Sequence, residues 1–302
     1  EHGTPITVTA DETGKSPQAV VDENHDAIFA SLVELGCSWG QTLDRRGVEF
    51  GGALYGRTSD PRHHELVQDI LLELHENGFL IQETMEQFCS VADDGGIKFL
   101  PDRYVQGVCP ACSAEGARGD QCDACGATYE ANELKDPVSK LNPEIPVEIR
   151  ETDHLFFRLD LLQEDLETHA ASRRSTWKPN VRAMTQNWLN MGLRPRAVTR
   201  DIEWGVKIPL DDEVWGEKRV YVWFDAVQGY LTCARIWSER IAEESGSESD
   251  IWRRWWMDGG NLRHIYFMGK DNIPFHTIIW PGILMALNRG REDHERLHLE
   301  DN

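Results

Sequence analysis

Cys109, Cys112, Cys122 and Cys125 form two Cys-x-x-Cys pairs, separated by nine residues. A tight turn lets each pair aim two thiolates at one ion. Two pairs close a tetrahedral shell with metal–sulfur arms of about 2.3 Å, as structural zinc requires. A closed shell leaves no position for water. The expectation is therefore a structural Zn²⁺ knuckle over about residues 105–130, which folds a small lobe and performs no catalysis. Two disulfides or a redox-active Cys-x-x-Cys are the alternatives, and four cysteines paired two by two favour the knuckle.

A second group of residues could bind an organic ligand. Trp223, Ala226 and Tyr230 place a small residue between two aromatics. If 223–230 turn from strand into helix, they leave a narrow apolar slot. Such a slot suits an unbranched side chain, and aromatic–sulfur contacts favour a thioether. Taken alone, the three read as ordinary core aromatics. Downstream stands Gly269-Lys270-Asp271-Asn272-Ile273-Pro274-Phe275-His276. Glycine after a strand admits close approach to a ligand. Asp271 could take an ammonium group or ribose hydroxyls, and His276 falls on the first turn of the next helix.

The elements that must position these residues follow from periodicity and punctuation. His2-Gly3-Thr4-Pro5 reads as the end of a strand or a loop. Ser16-Pro17 starts a helix with Ala27, Ile28, Leu32 and Leu35 on one face and Gly36 as its stop. Asp60-Pro61 starts another, with Leu66, Val67, Ile70, Leu71 and Leu74 on one face and Asn77-Gly78 at its end. Phe79 to Gln82 reads as a short strand. Strands are expected at Val220–Phe224 and Ile265–Met268, with helices over Val181–Met191, Gly229–Ile236 and Phe275–Leu287. Strand, loop and helix recur at both ends of the chain. This predicts an α/β fold, a Rossmann-like parallel sheet with helices on both faces, whose ligands sit beyond the carboxyl ends of the strands. His63-His64 is expected on a solvated helix face. Trp252-Arg253-Arg254-Trp255-Trp256 could stack bases, and reads first as a helix burying its indoles.

Composition narrows the setting. The 302 residues are 40% apolar and carry a net charge of −21, from 52 acidic and 31 basic residues. That supports a sizeable core in more than one lobe. No run approaches 18 uncharged apolar residues, so no membrane span is expected. Residue 1 is Glu: the start is processed, or the chain is a piece of a longer one, and a targeting segment stays open. Cys37, Cys89 and Cys233 are scattered, which suits buried small side chains in a reducing cytoplasm. An acidic balance argues against nucleic acid. Here the acids are diffuse and lysines few, as suits a halophilic cytosol, where salt at 1 M cuts the Debye length to about 3 Å. Shape and base contacts would then carry more of any RNA affinity.

Several blocks, in order, resemble the methionyl-tRNA synthetases, class I aminoacyl-tRNA ligases, of the archaeal and eukaryotic-like type. They are His2-Gly3-Thr4-Pro5-Ile6, Asp60-Pro61, Phe99-Leu100-Pro101-Asp102-Arg103-Tyr104 before the knuckle, His154-Leu155-Phe156-Phe157, Asn187-Trp188-Leu189 and Thr199-Arg200-Asp201. Tyr221-Val222-Trp223-Phe224-Asp225-Ala226 and the block from Gly269 to His276 complete the set. The resemblance implies a Rossmann-like catalytic domain in two parts, 1–80 and 220–302. A connective-peptide insertion over 81–219, with the zinc knuckle, would interrupt it. It implies activation of methionine by ATP with Mg²⁺ to methionyl-adenylate, then transfer to tRNA(Met). Trp223, Ala226, Tyr230 and His276 would line the methionine side-chain pocket. Asp271 would face the amino group or ribose, Gly269 would admit adenosine, and Arg200 would reach the ATP phosphates.

Two departures stand out. Family members often have Pro-Ile where this chain has Val227-Gln228. The His-x-Gly-His motif belongs upstream of His2, with an acidic residue just before Glu1, and a Lys-Met-Ser-Lys-Ser-like loop belongs downstream of Asn302. The chain thus reads as an internal catalytic fragment with little adenylation activity alone, because in-line positioning and charge stabilisation carry that chemistry. The other readings are a synthetase for another apolar amino acid, and a non-catalytic RNA-binding protein that keeps the fold. Oligomeric state is not fixed by the sequence.

Overall fold

Prolines fix the first three helices of the computed structural model. Helix α1 (Thr4–Thr13) begins directly after Gly3, with Pro5 in its first turn. The residues expected as a strand end or loop thus open a helix, since proline fits the first turn, where its missing N–H leaves no bond unmade. Helix α2 (Pro17–Glu34) is capped by Ser16, whose Oγ accepts from the Ala19 amide. Helix α3 (Pro61–Glu76) is capped by Asp60, whose carboxylate accepts from the Arg62 amide. The structure describes residues 1–37, 42–43, 49–50, 55–91, 97–100, 104–118, 122, 124–125, 129, 133–140, 143–246, 250–257 and 262–299.

Burial follows the expected face in α3 but not in α2. Leu66, Val67, Ile70, Leu71 and Leu74 are all buried. In α2 the buried residues are Val20 and Val21, while Ile28 and Leu35 of the expected face are exposed.

Among the described residues eleven strands form four sheets, and every pairing is antiparallel. The short β1 (Thr42–Leu43) and β2 (Glu49–Phe50) pair with each other. The expected strand at Phe79–Gln82 is the start of a long one, β3 (Leu80–Val91). It runs against β8 (Val147–Phe157) from Leu80↔Phe157 to Ser90↔Val147. With β4 (Ile97–Phe99) and β9 (Arg196–Ala197) they form a sheet in the order β4-β3-β8-β9. Between β4 and β8 lies a three-stranded sheet, β6-β5-β7, made of β5 (Val105–Val108), β6 (Glu115–Arg118) and β7 (Lys135–Ser139). Gly107 permits its tight packing: a Cβ there would stand 2.4 Å from the Lys135 carbonyl oxygen.

The α/β class holds, while the strands expected at 220–224 and 265–268 differ. A strand needs a hydrogen-bonded neighbour, and neither segment has a ladder beyond β11 (Arg219–Val220), which pairs with β10 (Thr199–Arg200). Val222–Ala226 instead closes its own bonds as helix α7, with the Phe224 and Asp225 amides donating to the Tyr221 carbonyl. Residues 262–269 form no strand pair.

The remaining helices are α4 (Gln163–Ser172), α5 (Pro179–Asn190), α6 (Asp212–Trp215), α8 (Gly229–Ser245), α9 (Arg253–Trp256) and α10 (Trp280–Asn288). A turn of π-helix over Phe275–Ile279 leads into α10. Two apolar cores result. The larger packs α3 against α10, Phe157, Leu159, Leu162 and Phe224, and takes in Trp252 and Trp256. Trp255 of the same cluster is 53% exposed, so two of its three indoles are buried. The smaller core gathers Phe88, Leu100, Tyr104, Val105, Cys109, Ala117, Cys122 and Leu134. The β3–β8 ribbon joins the two.

His63 lies inside the protein, not on a solvated face. It is fully buried, and its Nδ1 stands 2.7 Å from Thr232 Oγ1, tying α3 to α8. Burial, then the neighbouring His2 and His64, pushes its pKa down to about 3. On acidification the unfolded imidazole takes a proton near pH 6.5, before the folded one does. Stability is therefore lost between pH 6.5 and about 3. Urea melts should show a fall in that window, with His63→Gln shallower by about 1 kcal/mol per pH unit. Equal slopes for the two proteins would contradict this assignment.

Candidate functional site

The candidate slot is built on the turn from α7 into α8. Helix α7 buries Phe224 and Asp225 and leaves Trp223 36% exposed. Asp225 is a carboxylate with no solvent contact, and its Oδ2 meets His2 Nδ1 at 2.7 Å, both side chains fully buried. Burial raises the Asp225 pKa, and the His2 contact opposes that rise. The His2 ring also packs edge-on against His64 and Trp204, at centroid distances of 5.0 and 5.5 Å. These contacts set the rotation of α7, and so point Trp223 outward. Its indole stacks on Phe275 at 4.7 Å and 17°.

Tyr230 and His276 close the other end. The Tyr230 hydroxyl lies 2.7 Å from His276 Nε2, and His276 Nδ1 lies 2.9 Å from the Asn272 carbonyl oxygen. A carbonyl can only accept, so Nδ1 carries the proton and Nε2 accepts from the tyrosine. Burial raises the Tyr230 pKa, which keeps the phenol protonated for this bond. The π turn places His276 inward, 6% exposed. π turns concentrate at functional sites because they shift a side chain off the α-helical register. Ala226 sits half-buried between the two ends. Val227 and Gln228 are both buried, with Gln228 Nε2 donating to the Phe224 carbonyl. Gln228 thus ties the start of α8 back to α7.

Tyr266 and Phe275 belong to this site, and the sequence reading passed over their roles. The Tyr266 ring lies 4.6 Å from Tyr230 and 5.5 Å from His276, and its hydroxyl accepts from Trp280 Nε1 at 3.2 Å. No sequence signal marks it: Ile265, Tyr266, Phe267 and Met268 run on without polar alternation, and only the structure, with Ile265 and Phe267 exposed at 54% and 94%, shows that Tyr266 faces in.

Arg200 stands across a cavity of about 390 Å³ that it lines together with Tyr221, Trp223 and Phe275. Its guanidinium lies over the Tyr221 ring at 4.1 Å and donates to the Ala197 and Thr199 carbonyls. Its neighbours in sequence hold it. His154 Nδ1 is 2.9 Å from Thr199 Oγ1, and His154 Nε2 is 3.0 Å from Asp201 Oδ2. Lys218 pairs with the same carboxylate. Burial opposes charge on Asp201, but the bonds from His154 and Lys218 outweigh it and lower the pKa.

Of the predicted site residues, only Arg200 and Trp223 line this cavity; Ala226, Tyr230 and His276 lie outside its lining, as do Asp271 and Gly269. Asp271 is exposed on a single 3₁₀ turn, Lys270–Asn272, and Gly269 precedes it in extended conformation. A Cβ on Gly269 would meet nothing within 4 Å, so no protein neighbour demands glycine there.

The four cysteines converge. Their sulfurs all lie within 4.8 Å of one another, with Cys109–Cys125 at 3.8 Å and Cys112–Cys122 at 3.7 Å. A tetrahedron with arms of about 2.3 Å has edges of about 3.8 Å, so the set can hold a metal ion. Disulfides would need sulfurs about 2 Å apart, and the thiols are free. The Cys112 amide also points at Cys109 Sγ, at 3.4 Å.

The comparisons with known proteins fit this geometry. A family model described as "tRNA synthetases class I (M)" matches residues 1–299. The methionine–tRNA ligase of Chlorobaculum tepidum is 42% identical over the whole chain, which covers 40% of that protein. That of Thermoplasma acidophilum is 43% identical, with 95% of this chain and 48% of that protein covered. The chain thus spans less than half the length of these curated relatives. A Mycobacterium tuberculosis methionyl-tRNA synthetase crystallised with methionyl-adenylate shares the fold, with a TM-score of 0.62 and 22% identity. The match covers all of this chain and 47% of that one. The chain belongs to the methionyl-tRNA synthetase family of class I tRNA synthetases.

Proposed function

We propose that the protein carrying this chain is a methionine–tRNA ligase, which activates methionine with ATP and Mg²⁺ and passes it to tRNA(Met). The observation that carries the reading is the Tyr230–His276 hydrogen bond, with Trp223 near by on its Phe275 shelf. Trp223, Ala226, Tyr230 and His276 would enclose the thioether side chain. In this reading the slot would have apolar walls and one polar end, the Tyr230–His276 pair. A branched side chain would strike the aromatic faces, and a polar one would lose its water without enough partners. Asp271 and Gly269 are exposed; in this reading Asp271 would take the ammonium group or ribose and Gly269 would leave room for adenosine. Arg200, now parked on Tyr221, would swing to the triphosphate.

The division into 1–80, 81–219 and 220–302 is part of the same proposal. The smaller core, seated at the far end of the β3–β8 ribbon, would be the part of the insertion that packs by itself. Zn²⁺ is the ion proposed for its four sulfurs, because soft thiolates in a closed tetrahedral set suit it. A salt-adapted cytoplasm would explain the charge of −21. Among the described residues no helix is long and apolar enough to cross a membrane.

Amino-acid-dependent pyrophosphate exchange by the full-length protein tests the reading. Methionine should drive the exchange, and leucine and valine should not. Tyr230→Phe strands His276 Nε2 without its donor, which costs about 1–3 kcal/mol. The methionine KM should rise about tenfold, with the ATP KM unchanged. Equal exchange with leucine would refute the assignment. Metal analysis supplies a separate check: one zinc per chain, lost in Cys109→Ser. Hydrogen exchange should then speed up in residues 104–118 and stay slow in α3 and α10. Loss of protection throughout would show that the small core does not fold as its own unit.

A further inference from the structure

Between Thr168 and Arg200 the chain contains no aspartate or glutamate, although it has 52 of them elsewhere. The same stretch holds seven of its 31 basic residues, six of them arginine. It runs from the end of α4 through the turn at 173–178, along α5, and into β9 and β10. Arg174, Lys178, Arg194 and Arg196 are exposed. Arg182 is half-buried and donates to the Arg174 carbonyl at 2.8 Å, which fixes the turn that presents Arg174. A groove of about 640 Å³ between α4 and α5 is lined by Arg174, Trp177, Arg182 and Gln186, with Glu167 as its carboxylate. That carboxylate accepts from Gln163 Nε2, and Asp165 on the same helix pairs with Arg289.

Helix α5 separates this groove from the cavity at the slot. Leu189 lines the first, while Trp188, Arg196 and Arg200 line the second with Trp223. The basic residues therefore form a band that ends at the candidate site. A chain of net charge −21 repels a polyanion over most of its surface, so an approaching phosphate backbone is steered to this band, where Glu167 and Glu86 are the carboxylates that line the groove and the cavity against its arginines. Arginine suits it, because a guanidinium fork matches phosphate oxygens and holds them in two parallel bonds.

We propose that this band, from Arg174 through Lys178 and Arg194 toward Arg200, is where the phosphate backbone of the tRNA acceptor arm docks. The choice of tRNA rests on the ligase reading; the location rests on the charge and the geometry. The test is the affinity of the full-length protein for a labelled tRNA(Met) transcript across a salt series, with circular dichroism marking the salt range in which it stays folded. The variant Arg174→Gln/Lys178→Gln/Arg194→Gln should bind about tenfold more weakly at the lowest salt, and its log–log salt slope should be shallower by about 2 to 3. Methionine-dependent pyrophosphate exchange should match the parent. Lys15→Gln/Arg240→Gln, which removes charge elsewhere, should leave binding unchanged. In the parent protein, tRNA should also shield Lys178 from an amine-reactive acetylating reagent. Unchanged affinity and slope in the triple variant, an equal loss in the control, or an unshielded Lys178 would each overturn the proposal. Exchange that ignores methionine would strike the ligase reading and leave the docking result legible.

Discussion

A buried carboxylate needs a partner, and Asp225 finds it in His2. A carboxylate sealed from water without one would cost several kcal/mol, so the contact must form in the folded chain. Its two residues stand 223 positions apart. By making it, the chain brings the start of α1 against α7 and fixes the rotation of that short helix. Phe224 then turns into the core and Trp223 onto Phe275. Gln228 and Thr232 carry the register on into α8, and His63 receives it on α3. The slot between Trp223 and Tyr230 is thus set from behind, by polar contacts that touch no ligand.

A second constraint is how the metal lobe is attached. The antiparallel β3–β8 ribbon leaves the main core at Leu80 and Phe157 and enters the small core at Phe88 and Val147. Between them it exposes Glu83, Thr84 and Glu86 on one strand and Arg150 and Glu151 on the other. A ribbon so polar in the middle transmits little packing. The lobe nevertheless meets the rest of the chain: the Tyr104 hydroxyl donates to Thr7 Oγ1 of α1 at 2.7 Å, Val8 packs on the small core, and Tyr129 of that core lines the cavity of Arg200 and Trp223.

The sequence carried much of this in legible form. Helix α3 was readable because its cap, proline, apolar face and Asn-Gly stop agree. The cysteine cluster was readable because spacing alone brings four thiolates together, and Tyr230 and His276 met as a pair. What failed were the strands at 220–224 and 265–268. Short apolar runs look alike in strand and helix, and here α7 closes its own hydrogen bonds while 265–268 finds no ladder among the described residues. His63 was misplaced because a histidine on an otherwise polar helix start looks solvated, and only the long-range partner Thr232 shows otherwise. Asp225 passed as part of a motif, since nothing local reveals a partner at residue 2.

The central claim is that the thioether end of a substrate lies between Trp223 and the Tyr230–His276 pair. A crystal of the protein soaked with selenomethionine tests it directly, since the selenium anomalous signal marks one atom. The account predicts a single strong peak within contact distance of the Trp223, Tyr230 and His276 rings and beside Ala226. A peak elsewhere, with these side chains closed on one another and no density between them, would contradict it.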